Sequence, residues 1–254
     1  MMESTINFLN TFINIMNKKD YLKIISKSLH SKEKKTFFYL NTHSFYLIKT
    51  NKDFQRSFNL ADYITPDGFS IKWAVSLLHN KKIEKVSFNH IFFQDILKMF
   101  SENKANVYLL GSQSNSVSIA SNNLKNYEPK INVAGFHHGY FDHDKESESI
   151  IKEINSVKPD ILLVGIGMPD SVTWIIKNRE SINTKLIFTV GNLFDIIAGK
   201  KKIAPKFLYN SPFEWIYKLL QEPTKLFPRY AVAHPYFIYY VLKEKFLGQR
   251  VNEL

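Results

Sequence analysis

Short apolar runs recur along the middle of this chain, each ending in a small or polar turn and then an amphipathic stretch. Thr36–Leu40 (TFFYL), Asn106–Leu110 (NVYLL), Ile131–Phe136, Asp160–Val164 (DILLV) and Lys185–Val190 (KLIFTV) have strand length and are rich in β-branched and aromatic residues. Helical patterns follow: Asn41 to about Phe54, Phe69–Leu78, Asn89–Ser101, Ser116–Asn126, Lys145–Val157, Asp170–Arg179 and the segment from Gly191 to Ala198. Residues 1–35 also read as helical, as an amphipathic start and not a signal peptide. Strand runs apolar throughout, alternating with helices, predict an α/β fold: a Rossmann-like, mostly parallel sheet sandwiched by helices. Ligands of such folds bind outside the carboxyl ends of the strands. Asn41, Gly111, Gly165–Gly167 and Gly191 all fall at that edge.

From Ala204 the rhythm of strands stops. Pro205, Pro212, Pro223, Pro228 and Pro235 punctuate the remainder, and aromatic residues interleave with basic ones. The pattern therefore divides the chain into an α/β body, 1–203, and a basic, aromatic, helical appendage, 204–254. Charge sharpens this division. The chain of 254 residues carries a net charge of +11, and from Lys200 onward ten Lys and Arg stand against four Glu. Such basicity suits nucleic acid, an anionic membrane surface or a phosphorylated ligand. Tyr236, Phe237, Tyr240 and Val241, with Lys243 and Lys245, fit a helix with one apolar face and a basic tip, which suits an anionic bilayer. No cysteine is present, which excludes disulfides, thiolate metal sites and cysteine nucleophiles. No apolar run approaches the ~20 residues of a spanning helix.

Candidate chemistry centres on Thr65-Pro66-Asp67-Gly68. Pro66 biases Thr65 toward extended backbone, and Gly68 permits a turn that a side chain would hinder. Asp67 is then either a cap for the helix behind it or a carboxylate aimed at a ligand. Gly111-Ser112-Gln113 and Gly165-Ile166-Gly167-Met168-Pro169 lack a third glycine at dinucleotide spacing, so each alone is a tight strand-to-helix turn. Together at one sheet edge they favour a phosphate-bearing ligand, held by backbone N–H groups. His137-His138 and Asp142-His143-Asp144 raise a metal site, but the spacing is loose and a solvated loop or helix cap fits better. Asp160 precedes its strand and belongs to the opposite edge; Asp170 and Asp195 fit first helical turns.

The ordered blocks taken together resemble the WecG/TagA/CpsF glycosyltransferases of bacterial cell-surface polysaccharide synthesis. They are Asn41; Ala61-Asp62 with Pro66-Asp67-Gly68; Leu109-Leu110-Gly111; Gly139-Tyr140-Phe141; Pro159-Asp160-Ile161-Leu162 with Gly165–Pro169; Val190-Gly191; Asp195; Gly199; Ala204-Pro205; and Glu214–Leu219 with Glu222-Pro223, Lys225-Leu226 and Arg229-Tyr230. The resemblance implies an inverting transferase that moves an N-acetylmannosamine-type or related hexose from a UDP-sugar to a polyprenyl-diphosphate-linked acceptor. It implies no metal or other cofactor and no nucleic-acid partner. It places the enzyme on the cytoplasmic membrane face and leaves a homo-oligomer open. Asp67 falls on the general base. Tyr39, Asn41, Gly111, Ser112, Gln113, Gly165, Gly167, Met168, Pro169, Gly191 and Asp195 fall on the donor side. Lys218, Lys225 and Arg229 fall on the cations that meet the acceptor diphosphate. The chain departs from the family pattern at Tyr39, at Asp170-Ser171-Val172, at Ile203, and at Lys218 and Lys225 in place of arginines. A lysine keeps the charge there and loses the bidentate fork. The alternatives are a catalytically weak nucleotide-sugar-binding or scaffold protein and, ranked last, a nucleic-acid binder.

Overall fold

The computed structural model describes residues 4–84, 92–205, 207–209 and 211–251. Six strands form one parallel sheet in the order β4-β3-β8-β7-β5-β6. They are β3 (Lys35–Leu40), β4 (Tyr63–Pro66), β5 (Asn106–Gly111), β6 (Asn132–His137), β7 (Ile161–Gly165) and β8 (Leu186–Thr189). Successive strand residues alternate between two cores, which is why the runs are apolar throughout. Phe38, Leu162 and Ile187 face one cluster, while Phe37, Leu163 and Phe188 face the other. The first cluster is covered by α2 (Thr42–Thr50), α3 (Lys52–Phe58), α4 (Phe69–His79), α7 (Ser147–Ser156) and α8 (Asp170–Asn178). The second is covered by α1 (Lys18–Leu29), α5 (Phe93–Glu102), α6 (Ser114–Tyr127) and α9 (Leu193–Ile197). The expected α/β sandwich with a parallel sheet is thus the fold.

The N-terminal expectation is corrected. Residues 1–35 are not one helical segment: β1 (Ser4–Phe8) and β2 (Thr11–Ile15) form an antiparallel hairpin before α1. Leu9 and Asn10 both take left-handed backbone, φ 51° and 63°, as a two-residue hairpin turn of the favoured twist requires. Ile6, Phe8, Ile13 and Ile15 then point to one face, with Phe8 and Ile13 fully buried. Asn14 ties the hairpin to the sheet, its Oδ1 accepting from the Ile64 N–H at 2.7 Å.

The helix expected from Asn41 to about Phe54 is two helices. Asn51 ends α2 in extended backbone, and its side chain accepts from the Phe54 N–H at 2.9 Å to start α3. The pattern over Asn89–Ser101 yields α5; its first three residues lie outside the described residues.

The appendage contains α10 (Glu214–Gln221) and the long α11 (Pro223–Val251), which carries Pro228 and Pro235 within it. Helix α11 lies against α2: Phe237 meets Phe45 at 5.2 Å, and Tyr236 meets Tyr46 at 5.2 Å, both edge-on. Among the described residues no helix is long and apolar enough to cross a membrane.

Candidate active site

The turn after β4 is built by backbone. The Asp67 N–H donates to the Leu40 carbonyl at 2.8 Å, extending the β3–β4 ladder one residue past Pro66. Gly68 follows at φ 82°, backbone that side chains rarely adopt, and it is the N-cap of α4 with no side-chain cap bond. Gly68, and not Asp67, is thus the N-cap residue of α4. Asp67 lines the wall of a cleft that opens to solvent at the carboxyl edge of the sheet.

Asn41 stands beside it at the end of β3. Its Oδ1 accepts from the N–H groups of His43 and Ser44, both at 3.0 Å, while Ser44 Oγ accepts from the Asn41 N–H at 2.8 Å. This capping box starts α2 and orients the side chain in the cleft wall. The carbonyl oxygen is used by the cap, so the amide nitrogen is the group left for a ligand.

The facing wall comes from the appendage: Ser211, Pro212, Glu214, Trp215, Lys218, Arg229, Tyr230 and His234. Glu214 is buried, and its Oε1 pairs with Lys218 Nζ at 2.7 Å. Burial pushes the Arg229 guanidinium below its ordinary range, yet an arginine in a protein keeps its charge. Its Nε is buried without a hydrogen-bond partner among the described residues. Burial, with Arg229 adding, lowers the His43 pKa to about 4. Tyr39 is pushed up to about 12, mainly by burial and further by Asp67, with Arg229 opposing. Burial, then Glu214 and Asp67, also raise Tyr209. Asp67, Tyr39, Tyr209 and Arg229 therefore share one electrostatic neighbourhood.

The remaining candidates on the donor side form an adjoining row along the same edge. A Cβ on Gly111 would lie 2.5 Å from the Gly165 carbonyl, one on Gly165 2.9 Å from the Gly191 oxygen, and one on Gly191 2.8 Å from the Tyr39 hydroxyl. The ends of β5, β7 and β8 are thus packed backbone to backbone, and the Tyr39 hydroxyl from β3 closes over Gly191. Ser112 Oγ donates to Asp195, whose other oxygen lies 3.5 Å from Lys201 Nζ. Lys201 also pairs with Glu222 of the appendage at 2.7 Å. Gln113 Oε1 accepts from Lys200 at 3.0 Å. Gly167 (φ 97°), Met168 and Pro169 form the turn into α8.

The structure therefore brings Asn41, Asp67, Lys218 and Arg229 into one cleft, with Tyr39 electrostatically coupled to it. Gly111, Ser112, Gln113, Gly165, Gly167, Met168, Pro169, Gly191 and Asp195 lie beside the cleft and do not line it. Lys225 is exposed at the start of α11 and outside the lining. Glu214, Trp215, Tyr230 and His234 line the cleft but were not among the expected site residues. Glu214, Trp215 and Tyr230 fall in the blocks that carry the family resemblance, and His234 had only the interleaving of aromatic and charged residues after 204 as a signal.

Other carboxylates are employed elsewhere. Asp160 sits at the opposite sheet edge as expected, accepting from the Asn106 N–H at 3.0 Å and pairing with Lys185 at 2.9 Å. Asp62, also at that edge, accepts from Thr36 N–H at 2.8 Å and pairs with Arg179 at 2.9 Å. Asp142 Oδ1 accepts from the Asp144 and Lys145 N–H groups, and Asp144 pairs with Lys177 at 2.8 Å. This is the helix-start and surface role favoured for that segment. Among the described residues no three His, Asp or Glu side chains gather in a group that could hold a metal ion.

A parallel α/β sheet whose carboxyl edge sets a carboxylate opposite two cations across a cleft has the arrangement of a ligand-binding α/β protein. The particular family follows from comparison with known proteins. The family model for the glycosyl transferase WecG/TagA/CpsF family matches residues 6–251, and the chain belongs to that family. It is a glycosyltransferase. Relatives in Staphylococcus aureus strains MW2 and NCTC 8325 / PS 47 are each 30% identical over 207 residues, covering 82% of this chain and 76% of theirs. Both are named N-acetylglucosaminyldiphosphoundecaprenol N-acetyl-beta-D-mannosaminyltransferase.

Proposed function

We propose that this enzyme transfers an N-acetylmannosamine-type or related hexose from a UDP-sugar to a polyprenyl-diphosphate-linked saccharide, with inversion at the anomeric carbon. The names of the staphylococcal relatives supply the sugar class and the lipid-linked acceptor. The observation that carries the reading is Asp67 in one wall of a cleft whose other wall holds Lys218 and Arg229.

In this reading the donor diphosphate lies along the glycine row, near backbone N–H groups at the ends of β5, β7 and β8. The acceptor enters under the appendage. Asp67 removes the proton from the acceptor hydroxyl as its oxygen attacks the anomeric carbon. The bond from that carbon to the UDP oxygen breaks, and UDP leaves with the electron pair. Helix N-termini along the glycine row stabilise the departing charge, while the cations of the appendage meet the acceptor diphosphate. Asn41 offers its amide N–H groups to the substrates, and Tyr39, held protonated by burial, stands beside Gly191.

Membrane association belongs to the same proposal. Phe207, Phe213, Leu220, Phe227 and Phe246 are exposed on the appendage, and Lys225 and Lys243 are exposed among them. Apolar side chains flanked by lysines suit a peripheral site on an anionic bilayer, which is where a polyprenyl-linked acceptor is found.

The test is Asp67→Asn. Thermal unfolding should be unchanged, and UDP release with a short-prenyl sugar-diphosphate acceptor should fall by roughly the 10²–10⁴-fold of a lost general base. Wild-type turnover in this variant would sink the role of Asp67. A wild-type enzyme that binds UDP-sugars yet never releases UDP would sink the transferase reading itself.

A further inference from the structure

The cleft wall opposite Asp67 holds an aromatic cluster that no step above uses. The rings of Trp215 and His234 lie 5.5 Å apart, those of Tyr230 and His234 4.8 Å apart, and Trp215 meets Tyr230 edge-on at 6.0 Å. Tyr230 and His234 are one helical turn apart on α11, and Trp215 is on α10, so the cluster forms where the two helices meet. Trp215 is 39% exposed, whereas Trp174, which serves the core, is 2% exposed. The indole of Trp215 is therefore available to something in the cleft.

We propose that Trp215, Tyr230 and His234, with Glu214, form a carbohydrate platform that holds the terminal sugar ring of the lipid-linked acceptor against Asp67. This rests on the transferase reading. A hexopyranose has an apolar C–H face and a rim of hydroxyl and amide groups. Amphipathic aromatic rings offer the first a flat apolar surface and the second a polar tip. Glu214 adds a buried carboxylate that pairs with Lys218 at the edge of the platform. Burial keeps Tyr230 protonated, as a donor, and holds His234 below its ordinary range, so that its neutral ring offers one acceptor nitrogen. Lys218 and Arg229 lie in the same wall and take the diphosphate that follows the sugar. The residues that suit hydrocarbon, Leu220 and Phe227, are exposed and outside this lining. Trp215 is thereby assigned to sugar and not to lipid.

The experiment compares binding of two soluble ligands to the full chain: a short-chain prenyl diphosphate carrying N-acetylglucosamine, and the same prenyl diphosphate without sugar. Wild type should prefer the sugar-bearing ligand by roughly tenfold or more, an energy within reach of one good stacking contact. Trp215→Ala should abolish the preference and leave affinity for the sugar-free ligand unchanged. Trp215→Phe, which keeps a ring, should retain most of the preference while losing the quenching of tryptophan fluorescence that the sugar-bearing ligand causes in wild type. No preference in wild type would overturn the proposal, as would a preference that survives Trp215→Ala. An equal loss of affinity for both ligands in Trp215→Ala would also overturn it, assigning Trp215 to hydrocarbon. If Trp215→Ala fails to fold, His234→Ala reads the same preference. If wild type shows the preference but never releases UDP, the transferase reading fails and the platform stands.

Discussion

The α/β body and the appendage contain similar side chains and use them in opposite ways. In the body, Leu162, Leu163, Val164, Ile187 and Phe188 are fully buried, with a core on either side of them. In the appendage, Leu220 is 75% and Phe227 62% exposed, and α10 buries only Glu214. Apolar area removed from water stabilises a fold; the same area left exposed on a folded helix marks contact with something else. The body thus holds itself together. The appendage is held to it by a seam: Tyr236, Phe237 and Tyr240 against Phe45 and Tyr46, Lys201 with Glu222, and paired bonds between Gln221 and the Lys202 backbone at 2.8 and 3.1 Å. The cleft lies at this seam with one wall from each side, so stability and catalysis depend on different contacts.

The largest expected effect lies in the body. Phe188 is fully buried, stacked on Phe37 at 4.5 Å and tilted against Phe100 at 6.1 Å. Phe188→Ala should cost about 3–5 kcal/mol in denaturant unfolding, through lost transfer energy and a cavity. A loss near 1 kcal/mol would mean that the sheet core is not where the stability resides.

A smaller effect reads the seam through pH. Burial at the start of α2, with the charge of Arg229 from α11 adding, lowers the His43 pKa in the folded protein to about 4. The unfolded chain binds a proton below about pH 6.5 that the folded chain refuses. Stability should therefore be fully present above pH 6.5, fall as the pH drops toward 4, and change no further from this group below that. The group is part-exposed, so solvent screening reduces the effect to on the order of 1–2 kcal/mol. His43→Gln should flatten the profile between pH 6.5 and 4. An unchanged profile would show that His43 is not held neutral at the seam.

The same contrast decides what could be read in the sequence. Five of the six sheet strands were legible as apolar runs, as in the buried LIFT of β8, whereas β4, four residues ending in a proline, was read only as the approach to the turn. Asp67 was legible as a turn carboxylate, and the structure adds that Gly68 is the N-cap residue of α4 and that Asp67 lines a cleft. The N-terminal hairpin was misread. Its turn is Leu9-Asn10 and not a glycine pair, and STINFLNTFINI carries spacings compatible with either helix or strand. The split at Asn51 was hidden because asparagine both ends one helix and caps the next. That Glu214, Trp215, Tyr230 and His234 make one cleft wall was hidden for a different reason, although the first three fall in the blocks that carry the family resemblance. It exists only where α10 and α11 are laid against the end of β4, and no local pattern encodes that meeting.

The smallest effect on stability is the sharpest test of the contrast. Leu220 and Phe227 are apolar, yet replacing both with serine removes little buried area, because most of each side chain is already in water. Unfolding free energy should stay within about 0.5 kcal/mol of wild type, the range of ordinary surface substitutions. Sedimentation with vesicles containing anionic lipid should fall markedly, since the lost area is the area available to the bilayer. Turnover on a water-soluble acceptor should persist, because neither residue lines the cleft. A loss of stability near that of Phe188→Ala would mean that these side chains belong to a core after all. Undiminished vesicle binding would move the membrane contact away from the apolar face and onto the lysines, where added salt should then abolish it.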